Sequence, residues 1–244
     1  MKKLLVMSAV LIFTCKLSAF SSNLFLSDTL EITTSNYNSS TADSSVFINI
    51  DYPQLSGLAN NSLEINLNKF LEDEFKQSIA WYDEIQSDST VYEDMTYDMR
   101  YSFETGYKVE YNSQKFISIV LNHYQFTGGA HGNYFALGYN IRISDGKNLT
   151  LKDIIKSDSF DILIEECEHA ILEAYQTSSL IEAGLFEDEI MIEDDQDFYI
   201  TPKALVIQFD PYEVGPYAMG EIIAEIPFEK IKDILKENLP FASN

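Results

Sequence analysis

Cysteine is almost missing from this chain: Cys15 and Cys167 are the only two in 244 residues. That excludes a disulfide framework, a Cys-x-x-Cys redox pair and a thiolate zinc site. Histidine is scarce as well, with only His123, His131 and His169, and none stands in a His-Glu-x-x-His metal motif. Positive charge is the third shortage. Lys and Arg number 16 against 39 Asp and Glu, a net charge of −23. A phosphate backbone is bound through clustered cations, so nucleic acid is excluded as a partner. Also missing are a Gly-x-Ser-x-Gly elbow and a phosphate-binding Gly-rich loop. Past the N-terminus no apolar run is long enough to span a bilayer.

What remains is a core-forming composition. Hydrophobic residues make up 45%, including 16 Phe and 15 Tyr, which separates the chain from disordered acidic tails. At the start, Lys2 and Lys3 precede the short apolar run Leu4 to Phe13, followed by small residues around Ala19, Ser21 and Ser22. This reads as a secretory signal peptide over residues 1–19, with cleavage after Ala19, Ser21 or Ser22. A lipid-modified Cys15 is the minority alternative, since bulky Phe13 stands where lipoprotein signals want small residues. The chain is therefore expected to be exported, periplasmic or extracellular, with no membrane span after signal removal. Loss of Lys2, Lys3 and Lys16 takes the charge from −23 to −26. Cys167 is then a lone thiol on the apolar stripe of a predicted helix, and a core position is expected.

Residues 20–45, rich in Ser, Thr and Asn, read as a linker holding one short strand around Leu30 to Ile32. Val46 to Asp51 reads as a strand closed by Tyr52-Pro53. Asn61 with Glu64 opens a helix whose stripe is Leu63, Leu67, Leu71, Phe75 and Ile79. From Tyr97 the period changes to two, through Met99, Tyr101 and Phe103. Further strands follow over Phe116 to Phe126 and Tyr134 to Ile143, then an Asp145-Gly146 hairpin. These runs predict an antiparallel meander. Thr150 and Asp153 open a short helix, and a longer one covers Ser159 to Thr177. Residues 181–198 carry no Lys or Arg and form an acidic surface without calcium-loop spacing. A hairpin turns at Thr201-Pro202-Lys203, and a strand over Glu221 to Ile226 runs into a helix begun by Pro227. The fold class is α+β, antiparallel sheets with helices packed on one face. Residues 46–145 and 146–238 form either one compact unit or two intimately packed halves, with 239–244 as a tail.

His123 shares strand register with Ile117, Ile119 and Leu121, which points to a packed, hydrogen-bonded histidine. His169 lies off the helix stripe beside Glu165 and Glu173 and reads as solvated. His131 is the candidate, because Thr127-Gly128-Gly129-Ala130-His131 lets the backbone turn and aim the imidazole. A second candidate loop, Asp210 to Gly220, gathers Tyr212, Glu213 and Tyr217 among two prolines and two glycines. Tyrosines in such loops serve recognition or cap a core. The ligand-binding candidates are Thr127, Gly128, Gly129, His131, Tyr212, Glu213 and Tyr217, with no catalytic, metal or cofactor site.

Phe126-Thr127-Gly128-Gly129-Ala130-His131, the Asp-Gly-Lys hairpin with Leu149 to Ile155, Phe209 to Gly220, and Ile226-Pro227 together resemble a known extracytoplasmic domain family. It occurs in the lysozyme-sensing anti-sigma factor of Gram-positive bacteria, and ahead of the catalytic domain of a peptidoglycan deacetylase. Tyr52-Pro53-Gln54-Leu55 with the following helix is similar to the family's N-terminal half, so the resemblance covers residues 45–238. Neither the anti-sigma factor's membrane helix nor the deacetylase's catalytic domain is expected here. The resemblance implies a non-enzymatic envelope module that binds lysozyme, another basic protein or cell-wall glycan. The competing reading is a hydrolase of an envelope polymer, with His131 and Asp210 or Glu213 as acid/base groups. A third is a metal-stabilised scaffold.

Overall fold

A computed structural model describes residues 28–40, 46–77 and 101–241. The signal-peptide reading and the expected contributions of Ile79, Tyr97 and Met99 lie outside these residues. Strands β1 (Glu31–Ser40), β2 (Val46–Ser56), β3 (Tyr101–Asn112), β4 (Phe116–Phe126), β5 (Asn133–Arg142) and β6 (Lys147–Asn148) form a six-stranded sheet in sequential order. A second sheet holds β7 (Phe198–Ile200), β8 (Ala204–Phe209) and β9 (Ile222–Pro227). Helices are α1 (Asn61–Phe75), α2 (Leu151–Ile154), α3 (Phe160–Tyr175), α4 (Leu180–Ala183) and α5 (Phe228–Ile231). The architecture is α+β.

Alternation decides which side chains of the large sheet face α1. Phe103 of β3, Ile117, Ile119 and Leu121 of β4 and Tyr139 and Ile141 of β5 share one face with Ile48 and Ile50 of β2. Helix α1 covers that face with Leu67, Leu71 and Phe75, as its stripe predicts. Its start differs by one residue from the expectation. Asn60 is the N-cap, accepting from the Ser62 and Leu63 N–H groups, while Glu64 accepts from Leu58 N–H. Asn60 is the residue with extended backbone, so its side chain reaches the unpaired amides.

Three expectations change on the sheet. β3, β4 and β5 form the expected antiparallel meander, but β2 joins β3 in parallel, an exception to the expected antiparallel sheets, because the chain between them returns through α1. The strand expected near Leu30 to Ile32 is ten residues long and pairs with β2 throughout. β2 in turn continues past Tyr52-Pro53 to Ser56. Its pairing with β3 ends at Ile50, so beyond that point one side is, among the described residues, an open edge where a proline lacks nothing. Leu55, of the same parity as Pro53, gives its N–H on that side to Asn68 Oδ1 of α1 at 2.7 Å, and Asn68 Nδ2 returns a bond to Leu55 O.

The second core gathers Leu163, Cys167 and Ile171 of α3 against Ile222, Ala224 and Ile226 of β9 and Leu205, Ile207 and Phe209 of β8. Cys167 is fully buried as expected, and burial pushes its thiol far above the usual range. β8 is buried on both faces: β7 lies against the large sheet, and Gln208 of β8 reaches Ala136 O there. The acidic segment is strapped down: Asp188 accepts from the Leu180 and Ile181 N–H groups, Glu168 from Ile190 N–H, and Ile190 is buried. Among the described residues no helix is long and apolar enough to cross a membrane.

Candidate functional site

The Gly-Gly loop and the tyrosine loop meet. Gly128 and Gly129 take φ values of 90° and 94°, which turns β4 into β5 and delivers His131 to the surface. The His131 ring stacks on Tyr217 with centroids 4.1 Å apart and planes 21° from parallel. His131 Nδ1 lies 2.9 Å from Gly132 O, and a carbonyl only accepts, so Nδ1 carries the proton. Tyr217 Oη donates to the same carbonyl at 2.7 Å. Tyr134 meets Tyr217 edge-on and Tyr212 lies at 5.6 Å, so four rings form one cluster. Tyr212 is 57% exposed and holds φ at 73°, a conformation that costs a bulky residue energy. Of the expected residues, His131, Tyr212 and Tyr217 are brought together. Thr127 is half-buried in the turn.

The carboxylates have other work. Asp210 Oδ1 accepts from Ala136 N–H at 3.0 Å, and Asp197 Oδ1 from Gly138 N–H at 2.9 Å. Glu213 accepts from Asp210 N–H and from Gln196 Nε2, both at 2.8 Å. Ala136 and Gly138 stand on β5 where, among the described residues, that strand has no neighbour beyond β4, because β6 pairs only with Ile141 and Arg142. The second sheet therefore satisfies the open edge of the first with side chains. Asn140 Nδ2 to Phe198 O, Ile200 N–H to Ser118 Oγ and Gln208 Nε2 to Ala136 O complete the seam. Burial, reinforced by Asp210, Glu213 and Asp195, outweighs the Gly138 bond and raises Asp197 to about 6. Asp210 is raised for the same first reason, burial. Among the described residues no hydrogen bond or ion pair joins His131 to a carboxylate.

Beside the ring cluster lies a cleft of about 420 Å³ on the face of the large sheet opposite α1. Asp51, Glu104, Asn122, Tyr124, Tyr134 and Glu221 line it. Burial raises the Glu221 carboxyl, with Asp210 adding to it, and Tyr134 is raised by burial, Tyr217, Glu221 and Asp210. His123 points to the other face, as its register predicts. Its Nδ1 is 2.9 Å from Thr105 Oγ1, its ring stacks on Phe135, and burial lowers it to about 4. Among the described residues no group of His, Cys, Asp or Glu is placed to hold a metal.

Sequence reasoning missed Asp197, Asn140 and Ser118, because their partners are backbone groups far away in the chain. It missed the cleft because strand register is what assembles it. Period-two parity does put Tyr124 and Tyr134 on the face opposite His123 and Phe135, and it gives nothing more.

Residues 40–134 match the family described as deacetylase PdaC, and residues 152–229 match the protein of unknown function DUF3298. Both domains are present, in that order. Over 194 residues the chain is 26% identical to the peptidoglycan-N-acetylmuramic acid deacetylase PdaC of Bacillus subtilis strain 168. The match covers 77% of this chain but spans only 38% of that relative's length. Two crystal structures share the fold. A DUF3298 member from Bacteroides fragilis superposes with a TM-score of 0.66 at 19% identity, covering 86% of this chain and 94% of the other. One from Pseudomonas aeruginosa PAO1 gives 0.68 at 18% identity, covering 90% and 100%.

Proposed function

We propose that this chain, which carries the deacetylase-PdaC and DUF3298 domains in tandem, is an exported recognition module that binds a cationic protein such as lysozyme without catalysing a reaction. The cell-envelope link rests on the relative that deacetylates peptidoglycan. Export rests on the sequence start, where Lys2 and Lys3 precede Leu4 to Phe13.

One observation carries the reading: the ring cluster of His131, Tyr134, Tyr212 and Tyr217 is built as a contact surface, while the nearby acids are engaged in structure. Tyr212 stays exposed in a costly backbone conformation, and stacked rings give contact area at little entropic cost. Asp210 and Glu213, the acids of the hydrolase reading, hold backbone and side-chain donors instead. A charge of −23 steers a basic partner toward this surface and speeds encounter.

The test is titration of the mature protein with a c-type lysozyme at low and physiological salt, with lytic activity followed in parallel. Saturable one-to-one binding at physiological salt is expected. Binding that disappears with added salt would reduce the effect to charge attraction alone, and no binding at either salt would sink the lysozyme reading.

A further inference from the structure

We propose that the cleft beside the ring cluster seats a guanidinium group, the side chain of an arginine presented by a cationic partner. The proposal rests on the recognition reading and gives that surface a chemical specificity.

Register sets out the site. Asn49 of β2 pairs with Glu104 of β3, Glu104 with Tyr124 of β4, and Tyr124 with Tyr134 of β5. These four residues form one row across four strands, all on the face away from α1. Adjacent strands are spaced about 4.8 Å apart, so Glu104 and Tyr134 stand about 10 Å apart with Tyr124 between them. Asp51 extends the acidic side, and Glu221, just before β9, closes the row from the second sheet. The cleft thus has an aromatic floor with carboxylates at both ends.

Among the described residues the charges are uncompensated: no Lys or Arg lines the cleft, and neither Glu104 nor Glu221 takes part in an ion pair. Among the described residues Asp51 accepts only from the Asn36 amide. Glu221 is partly buried beside Asp210, so a carboxylate there is costly until a cation arrives. Guanidinium answers each feature. Its planar face stacks on a tyrosine ring, its fork of N–H donors matches carboxylates, and it sheds water more easily than an ammonium. A neutral sugar would stack on the same rings and leave the charge unanswered, which favours the cation.

Probes of single chemistry decide it. The tyrosine ring signals of the protein are followed by NMR at physiological salt, with acetyl-Gly-Arg-Gly-amide, its uncharged citrulline counterpart and chitotriose. Tyr124→Phe and Tyr134→Phe assign the signals. The arginine peptide is expected to shift Tyr124 and Tyr134 saturably and the other two probes to leave them in place. Glu104→Gln with Glu221→Gln should weaken the arginine peptide about tenfold. Glu187→Gln with Glu189→Gln, on the exposed acidic segment, should leave it unchanged. Equal shifts by the citrulline peptide, a response to chitotriose alone, or wild-type affinity in the Glu104 and Glu221 variant would each overturn the proposal. Lysozyme separates the two ideas. Lysozyme binding with no arginine-peptide response removes the cleft and keeps the module reading, whereas arginine-peptide binding without lysozyme binding does the reverse.

Discussion

Two titratable residues, buried His123 and half-buried Asp197, pull the stability of this protein in opposite directions over one pH window. Asp197 sits at about 6, above its ordinary value of 3.8. Its contribution to folding is fully present below pH 4 and is lost as pH rises through 6. His123 sits at about 4, below its ordinary 6.5, so its contribution is present above pH 6.5 and is lost as pH falls through 4. Each is worth about 3 kcal/mol, and the two nearly cancel. Both slopes are read as differences from the wild type in urea titrations between pH 4 and 6.5. Asp197→Asn, whose amide oxygen still accepts the Gly138 N–H, should lose stability toward acid, and His123→Gln should gain it. Parallel profiles for all three proteins would show that neither group carries the linkage. Tyr212 offers a second single-residue test. At its φ of 73° a glycine is relaxed, so Tyr212→Gly should melt no lower than wild type while weakening lysozyme binding. A lower melting temperature with unchanged affinity would make the ring a structural cap.

At the scale of elements, the seam between the sheets is the most exacting part of the fold. A Cβ added at Gly138 would sit 1.9 Å from Phe198 O, because β7 crosses β5 at backbone contact. Gly138→Ala must push the second sheet away and break the Asp197 and Asn140 bonds nearby. A loss above about 3 kcal/mol is expected in denaturant melts, the range of broken buried networks. Asn60→Ala, which removes only the α1 cap, should cost about 1 kcal/mol. If the two variants cost the same, the seam is more compliant than its geometry implies. This contrast also explains what could be read from sequence. Helices α1 and α3 were legible because one face of each is apolar at helical period, and the hairpin at Asp145-Gly146 because its turn chemistry is local. β1 was not, since an edge strand of Ser, Thr and Asn buries little and owes its form to β2. The parallel β2–β3 pair is set by the path of the crossover, which no local pattern encodes. Half of the candidate site follows the same logic. Gly128-Gly129 and the Pro- and Gly-rich Asp210 to Gly220 loop announce themselves, whereas Glu104, Tyr124 and Tyr134 become neighbours only through register.

For the whole molecule, charge is the governing quantity, and it acts on folding and on binding with opposite sign. The ion pairs among the described residues are largely exposed, as in Lys69–Asp73 and Lys152–Asp194, and contribute little. With a net charge of −23 the folded chain repels itself more than the expanded one does. Salt screens that repulsion, since the Debye length falls from about 20 Å at 20 mM to about 4 Å at 500 mM. Raising sodium chloride over this range should therefore lift the melting temperature by a few degrees, about 3–5 °C for a repulsion near 1–2 kcal/mol. On the proposed reading, the same salt should slow association with lysozyme, because long-range steering is screened, while dissociation should change less if rings and a seated guanidinium hold the complex. Stopped-flow association and thermal melts in one salt series read both effects. A melting temperature indifferent to salt would mean that the acids are too dispersed to repel. A dissociation rate as salt-sensitive as the association rate would mean that charge alone, and not the aromatic surface, holds the partner.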